Sequence, residues 1–392
     1  MSKGQKMAVM VLGAIFWATF GVVPAAAQWV PAGPGPRAQH TAVLDSATNQ
    51  MIVFGGTDSG TINYNDVWAA GDILTTCSPA CPMQWTFLTP SGTPPAPRSG
   101  HSAVYDSVNS RMIVFGGAEG FPSPCANDVW VLGNANGVGG APSWSELPAG
   151  GSLPAARTGH AAAYDPVTNV MMVFGGTDCN GNYLADSWVL SNANGFGGTP
   201  TWTQLTPTGN PPPARAYAAV AYSSSANSLV IYGGTDGNEL GDVWVLSGAN
   251  GTTGMSAWSQ ESPSGTAPAA RYGAASGYDP ATDRVIINSG FSTQGILGDS
   301  WVLENPTSVG GLPTWTPVNP SNSGSQVYFH SGVYSTTDNE FVVFAGISER
   351  APSPQIADDH MFVLTNANGL SGSARRLPSL LRPLSDPLKQ GY

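Results

Sequence analysis

Histidines are the first residues in this chain that could do chemistry, because imidazole acts as an acid, a base or a metal ligand near neutral pH. The chain contains only five of them. Four share one recurring position, the end of an Arg-x-x-His pattern or a variant of it: His40, His101, His160 and His330. A side chain that recurs at one position of a repeat is expected to bond backbone or a neighbouring unit. We therefore predict no catalytic residue, no metal site and no cofactor.

An arginine and an aspartate recur in the same way. The arginines are Arg37, Arg98, Arg157, Arg215 and Arg271, and the aspartates, each two residues before a Trp, are Asp66, Asp128, Asp186, Asp242 and Asp299. A guanidinium group can bond a carboxylate and several carbonyls at once. The sequence therefore makes each Asp the expected partner of an Arg, with no substrate involved.

These residues lie in a repeated unit whose arginines are 56 to 61 residues apart. Its most regular part is an apolar run closed by Gly-Gly or a variant: Met51–Gly56, Met112–Gly117, Met171–Gly176, Leu229–Gly234, Val285–Gly290 and Phe341–Gly346. Short runs rich in Val, Ile, Tyr, Phe and Trp, separated by Gly, Pro, Asn and Ser, are typical of strands. Each unit contains four such runs, and none shows sustained helical periodicity.

A second Trp follows each of the first five units: Trp85, Trp144, Trp202, Trp258 and Trp315. Gly-Gly with two spaced Trp resembles the kelch repeat, over roughly Trp29 to Leu364. The resemblance implies an all-β fold: a six-bladed kelch-type β-propeller with four antiparallel strands per blade. It extends to secreted bacterial kelch proteins and to the propeller of galactose oxidase. Copies five and six depart from the pattern.

Closure of the ring is predicted from a missing residue. No Trp follows Leu364 to mark the fourth strand of the sixth blade, whereas a spare Trp29 lies within Gln28–Val30. We therefore predict that the N-terminal strand completes the sixth blade and closes the ring, which removes exposed strand edges.

The predicted domains are a signal peptide at 1–27, the propeller at 28–365 and a flexible C-terminal extension at 366–392. Lys3 and Lys6 precede an apolar stretch and a small-residue cleavage site, the layout of a secretory signal. A membrane anchor is the alternative for this segment, and a docking or sorting role is the alternative for the extension. We expect a secreted, periplasmic or extracellular protein with no membrane span in the mature chain.

Charge and cysteine content bound the partners. Only 10% of residues are charged and the net charge is −11, whereas a protein that binds nucleic acid is expected to carry a basic surface. We therefore predict that nucleic acid is not a partner. In an exported chain, cysteines are expected to pair. Cys125 and Cys179 lie in the strand two–three loops of neighbouring blades, and Cys77 and Cys81 lie in one loop, so these are the two predicted disulfides. Metal binding is the weaker alternative for the Cys77 pair.

Loops between strands two and three differ most between copies, and specificity is expected where repeats differ. The candidate binding residues on that face are Tyr64, Glu119, Phe121, Tyr183, Glu239, Phe291, Glu349 and Arg350. The favoured function is a non-catalytic secreted or cell-surface scaffold that binds a protein or a glycan. The alternative is a carbohydrate-active enzyme of the galactose-oxidase or sugar-epimerase kind, although no cluster matches the copper ligands of the former.

Overall fold

Every regular element is a β-strand in the part of the chain that the computed structural model describes. That part comprises residues 33–58, 62–71, 84–120, 125–252, 254–308, 310–318, 325–348, 356–369 and 373–376. Blades one to three contain β1 Thr41–Asp45, β2 Gln50–Phe54, β3 Val67–Gly71, β4 Gln84–Leu88; β5 Ser102–Asp106, β6 Arg111–Ala118, β7 Cys125–Gly133, β8 Ser143–Glu146; and β10 Ala161–Asp165, β11 Val170–Phe174, β12 Ser187–Ser191, β13 Thr201–Leu205, with β9 Gly150–Gly151 at the edge.

Blades four to six contain β14 Ala219–Ser223, β15 Ser228–Thr235, β16 Glu239–Ser247, β17 Ala257–Glu261; β19 Ala275–Asp279, β20 Arg284–Ser292, β21 Gly295–Glu304, β22 Thr314–Val318, with β18 Ser264–Gly265 at the edge; and β23 Ser331–Ser335, β24 Glu340–Ser348, β25 Ile356–Thr365, β26 Ser373–Arg376. Within each blade the four main strands are antiparallel and follow chain order. The first strands contact one another in sequence, and β23 contacts β1, so six blades form a ring. The six-bladed propeller predicted from the sequence is confirmed.

The short strands β9 and β18 add a fifth, parallel strand to two of the sheets. Each belongs to the connection that leaves one blade and runs along the outermost strand of the next. Such a connection covers an otherwise open sheet edge.

The fourth strand of blade six is not the one that the sequence predicted. The fourth strand of blade six is β26, which pairs with β25. It lies within 366–392, the segment assigned to a flexible extension, so the propeller extends past residue 365. Gln28–Val30 and the predicted signal peptide 1–27 lie outside the described residues.

The physical reason for this error is a paired loss of aromatic residues. At five interfaces, the aromatic residue directly before the Gly-Gly pair or its variant packs on the second Trp of the next blade. The ring centroids are 4.8 to 5.1 Å apart in the pairs Phe54–Trp144, Phe115–Trp202, Phe174–Trp258, Tyr232–Trp315 and Phe344–Trp85. Blade five has Asn288 at the position of this aromatic residue, and Ala374 takes the register position of the Trp in blade six. Without an aromatic partner in blade five, the sixth blade needs no Trp.

Hydrophobic core therefore lies between blades, in six clusters that each draw on two neighbouring blades. The face that carries the strand one–two turns is joined by side-chain hydrogen bonds. An Asn amide of one blade donates to an Asp at the end of the previous blade's first strand: Asn136–Asp45, Asn194–Asp106, Asn250–Asp165 and Asn368–Asp279, at 2.6 to 3.2 Å. These asparagines, three of which belong to the Asn-Ala-Asn-Gly repeat, therefore join neighbouring blades.

Candidate binding site

A closed ring of backbone hydrogen bonds surrounds one mouth of the central channel. One residue from each blade donates its N–H to the carbonyl of the equivalent residue before it in the ring, at 2.7 to 3.0 Å. These six residues, the mouth ring, are Gln39, Gly100, Gly159, Tyr217, Gly273 and Phe329. All have positive φ, between 53° and 65°. Because this left-handed conformation strains bulky residues, Tyr217 and Phe329 stand out, and retained strain of this kind clusters at functional sites.

The four recurring histidines follow the mouth ring and line a cavity of about 140 Å³. Three of them bond a hydroxyl on the first strand of the previous blade: His40 with Ser331, His101 with Thr41, and His160 with Ser102, at 2.7 to 2.9 Å. The prediction that these side chains bond a neighbouring blade is confirmed for these three.

The interfaces of blades three and four and of blades four and five have lost both members of this pair. Ala161 and Ala218 stand at the two positions in the first, and Ala219 and Ala274 in the second, where other interfaces have a hydroxyl and an imidazole. His330 is the exception, because Ala275 stands where its hydroxyl partner belongs. Neither of its ring nitrogens has a hydrogen-bond partner of ordinary geometry among the described residues.

Burial keeps these imidazoles neutral. Desolvation, followed by the charge of a nearby arginine, lowers the pKa of His101 to about 3 and holds the pKa values of His40 and His160 well below the usual value. Desolvation likewise lowers the pKa of His330 to about 3. At neutral pH the channel therefore presents uncharged rings.

Each recurring arginine is fully buried and pairs with the aspartate of its own blade, as predicted. The two nitrogens Nη1 and Nη2 bond the two carboxylate oxygens at 2.6 to 3.0 Å, and Nη1 also donates to a carbonyl of the glycine turn. The Trp two residues later donates its indole N–H to the same carboxylate at 2.6 to 2.7 Å. Although burial raises it, these donors hold the carboxyl pKa low in blades two to five. We call this set the Arg–Asp–Trp triad.

Aromatic side chains gather on one side of the mouth, over blades four to six. Ring centroids 4.7 to 6.1 Å apart connect Tyr217, Tyr272, Phe291, Tyr328 and Phe329, which we call the aromatic plate. Four of the five rings are partly exposed, and Tyr328 is buried. Tyr217 and Phe329 also lie over the backbones of Gly159 and Gly273, which have no side chain in the way.

Three of the residues predicted for binding meet at this plate. Phe291 belongs to it, and both Glu239 and Tyr183 lie close enough to Tyr272 to add to the effect of burial in raising its pKa. Carboxylate and hydroxyl groups therefore border the aromatic surface.

Two other predicted residues are engaged with arginines of the repeat. Tyr64 stacks on Arg37, whose guanidinium carbon lies 4.7 Å from the ring centre, and Glu119 pairs with Arg98 at 3.4 Å. Phe121, Glu349 and Arg350 lie outside the described residues.

Sequence reasoning missed four members of the plate because they stand in the Arg-x-x-His segment, which was assigned to structure. A signal was present in that segment. The residue before the recurring His position is Gly in blades two, three and five, but Tyr217 in blade four and Phe329 in blade six. Two aromatic residues at a position where three blades have glycine therefore marked the site.

The loops of blades two and three bring Cys125 and Cys179 into contact. The amide of Cys125 donates to Sγ of Cys179 at 2.6 Å, and both residues are present as thiols. Burial, followed by the hydrogen bond with Cys179, raises the pKa of the Cys125 thiol to about 12. The adjacency that motivated a cross-blade disulfide exists, and the bond itself stays a prediction. Cys77 and Cys81 lie outside the described residues.

Six four-stranded blades with recurring Arg–Asp–Trp triads define the chain as a β-propeller of the repeat type. The model of the KLHDC2/KLHL20/DRC7 kelch-repeats domain matches residues 25–132 and 74–252, so the chain belongs to the kelch-repeat family. Kelch propellers serve as protein-interaction scaffolds. No helix within the described ranges is long and apolar enough to cross a membrane.

The curated relatives that this chain matches are much longer than the chain. Host cell factor 1 of Rattus norvegicus is 29% identical over 254 residues, which cover 61% of this chain and 11% of that protein. The serine/threonine-protein phosphatase BSL2 of Arabidopsis thaliana is 29% identical over 336 residues, 79% of this chain and 31% of that protein. The chain thus spans less than a third of either relative. The solved "Structure of YjhT" has a TM-score of 0.60 at 15% identity, covers 88% of this chain and 99% of its own, and shares the fold.

Proposed function

We propose that this chain is an exported, non-catalytic binding propeller, and that its aromatic plate takes a protein segment that presents a basic side chain. The observation that carries the proposal is the position of Tyr217 and Phe329, two bulky residues held at positive φ in a ring where glycine serves in three other blades. Strain without a structural need is expected where it serves binding.

The plate has the chemistry of an interaction anchor. Aromatic residues dominate binding energy at protein interfaces, especially in desolvated pockets. Here Tyr217 and Phe329 line the cavity, and three of the four histidines beside them are hydrogen-bonded to a neighbouring blade. A catalytic role would need groups that titrate near neutral pH, whereas burial lowers the pKa of the channel histidines.

The charge of the site favours a basic partner. Glu239 lies near Tyr272, the lining of the mouth contributes no cation, and the whole chain has a net charge of −11. Aromatic ring faces attract Arg and Lys, by about 0.5 to 2 kcal/mol for each well-placed pair. A basic side chain flanked by apolar residues therefore fits both the plate and its border.

The test uses displayed peptides selected on the wild-type propeller and then measured by fluorescence anisotropy. The decisive variant is Tyr217→Gly with Phe329→Gly, since glycine is the native residue at this ring position in three blades and relieves the positive-φ strain. We expect the fold to be retained and binding to weaken at least tenfold. Val167→Ser, at a turn on the opposite face whose side chain is 82% exposed, should leave affinity unchanged.

Selected peptides that lack basic residues, or that bind the double variant as tightly as the wild type, would contradict the proposal. A glycan array and a sugar-dependent peroxide assay with copper are run on the same proteins. Glycan binding abolished by the double variant would favour the glycan ligand, and sugar oxidation would favour the enzyme alternative. Export is tested separately by cell fractionation and N-terminal sequencing of the mature chain.

A further inference from the structure

Blade six has replaced all three members of the Arg–Asp–Trp triad. Val327 stands at the arginine position. Strand register aligns Met361 with Phe344 as it aligns Val67 with Phe54, so His360 stands at the aspartate position and Phe362 at that of the Trp. Among the described residues of blade six, the position of the arginine that balances a carboxylate in the other five blades is therefore held by an uncharged side chain.

Carboxylates are nevertheless present there, at two positions where none of the other five blades has an acid. The carbonyl of Asp358 accepts the amide of Arg37 at 3.1 Å, the same bond that Tyr64 makes with Arg98 one blade further on. Asp358 thus stands where blades two, three and four have Ala126, Leu184 and Leu240. Asp359 follows directly, so two acids that the repeat does not require adjoin His360.

These three side chains converge. Nδ1 of His360 contacts Oδ1 of Asp358 and lies 3.6 Å from Oδ1 of Asp359. One ligand atom from each residue lies within 4.8 Å of those of the other two. The side chains are only 9%, 10% and 18% exposed for His360, Asp358 and Asp359, so their charge is poorly screened by water.

A fourth polar group adjoins these three. Ser348 is buried, with the residue 8% exposed, and its hydroxyl hydrogen-bonds the Asp358 carboxylate. The cluster therefore offers a neutral oxygen beside its two carboxylates and its imidazole.

We propose that Asp358, Asp359 and His360 bind one divalent metal ion, with the Ser348 hydroxyl at its edge. One imidazole nitrogen and carboxylate oxygens suit Zn²⁺ first and Mn²⁺ second. The ion supplies the positive charge that arginine supplies in the other blades. Because Asp358 also accepts the amide of Arg37, the metal holds blade six against blade one, at the junction where the chain closes its ring.

The test is a calorimetric titration of EDTA-treated, thiol-blocked full chain with Zn²⁺ and then with Mn²⁺, together with melting curves at each metal concentration. Blocking the thiols removes competing cysteine ligands. We expect one Zn²⁺ per chain and a melting temperature that rises with Zn²⁺. Asp359→Asn, a conservative change at the most exposed ligand, should weaken binding at least tenfold. Asp178→Asn, an acid in an exposed loop, is the matched control and should bind as the wild type.

A second variant guards against a failure to fold. Val327→Arg with His360→Asp and Phe362→Trp restores the triad of the other blades, and should fold without metal and show no metal-dependent melting. No uptake of either ion by the wild type would overturn the proposal. So would Zn²⁺ binding that Asp359→Asn leaves unchanged, or metal-dependent melting that persists in the triple variant.

Discussion

Mild acid should destabilise this propeller in the range where histidines, and not carboxylates, titrate. His40, His101, His160 and His330 are buried and neutral, with the pKa lowered to about 3 for His101 and His330. In the unfolded chain each takes up a proton near pH 6.5. Because the folded pKa is lower than the unfolded one, the unfolded state binds more protons below pH 6.5, and the free energy of unfolding falls as the pH falls.

The magnitude follows from one proton per histidine. Between pH 7.5 and 5.5 each buried neutral imidazole lowers the free energy of unfolding by about 1.4 kcal/mol, so four together lower it by about 5 to 6 kcal/mol. The aspartates of the triads, whose pKa values are held low, add their own loss only below about pH 4. The two effects therefore occupy separate pH ranges.

The perturbation is a double variant, His101→Ala with Thr41→Ala, which copies the alanine pairs native to the interfaces of blades three–four and four–five. Urea unfolding followed by tryptophan fluorescence at pH 7.5, 6.5 and 5.5 measures the change with pH, so the constant cost of the lost packing cancels. The stability lost between pH 7.5 and 5.5 should be smaller by about 1.4 kcal/mol than in the wild type.

Thr41→Ala alone is the control, because it keeps the buried imidazole and should keep the wild-type dependence on pH. If the double variant and the wild type lose the same free energy over this range, His101 is not held neutral in the folded chain. The account of the channel histidines would then be wrong.

Three further outcomes are expected in urea or thermal unfolding. Arg157→Ala leaves the partly buried Asp186 carboxylate without its cation and should cost about 3 kcal/mol; a cost below about 1 kcal/mol would contradict the triad. Gly209→Ala places a Cβ 2.4 Å from the carbonyl of Trp258 and should destabilise more than Gly181→Ala, which has similar φ and open space; equal costs would mean that no close approach matters. Truncation after residue 372 removes β26 and should lower the melting temperature, whereas an unchanged transition would restore the N-terminal closure model.

The fold could be predicted from the sequence because a propeller uses the same contacts in each blade, so the residues that make them recur along the chain. The Gly-Gly runs, the arginines and the aspartates recur at nearly constant spacing, and physical chemistry pairs a buried guanidinium with a carboxylate whatever the fold. Blade number, strand order and the Arg–Asp pairs followed directly. The strand that completes blade six could not be predicted in this way. Counting Trp residues treats each blade alone, whereas each Trp packs on an aromatic residue in the preceding blade.

Only the tertiary structure decided what the departures from the repeat do. Tyr217, Tyr272 and Phe329 are far apart in the chain, and they form one surface because the ring brings equivalent positions of neighbouring blades together. The role of Asp359 and His360 likewise became clear only from the strand register, which places His360 at the aspartate position of a blade that has Val327 at the arginine position. The role of a repeated residue can be inferred from its recurrence. The role of a residue that occurs once depends on its neighbours in space, and the closed ring determines which residues those are.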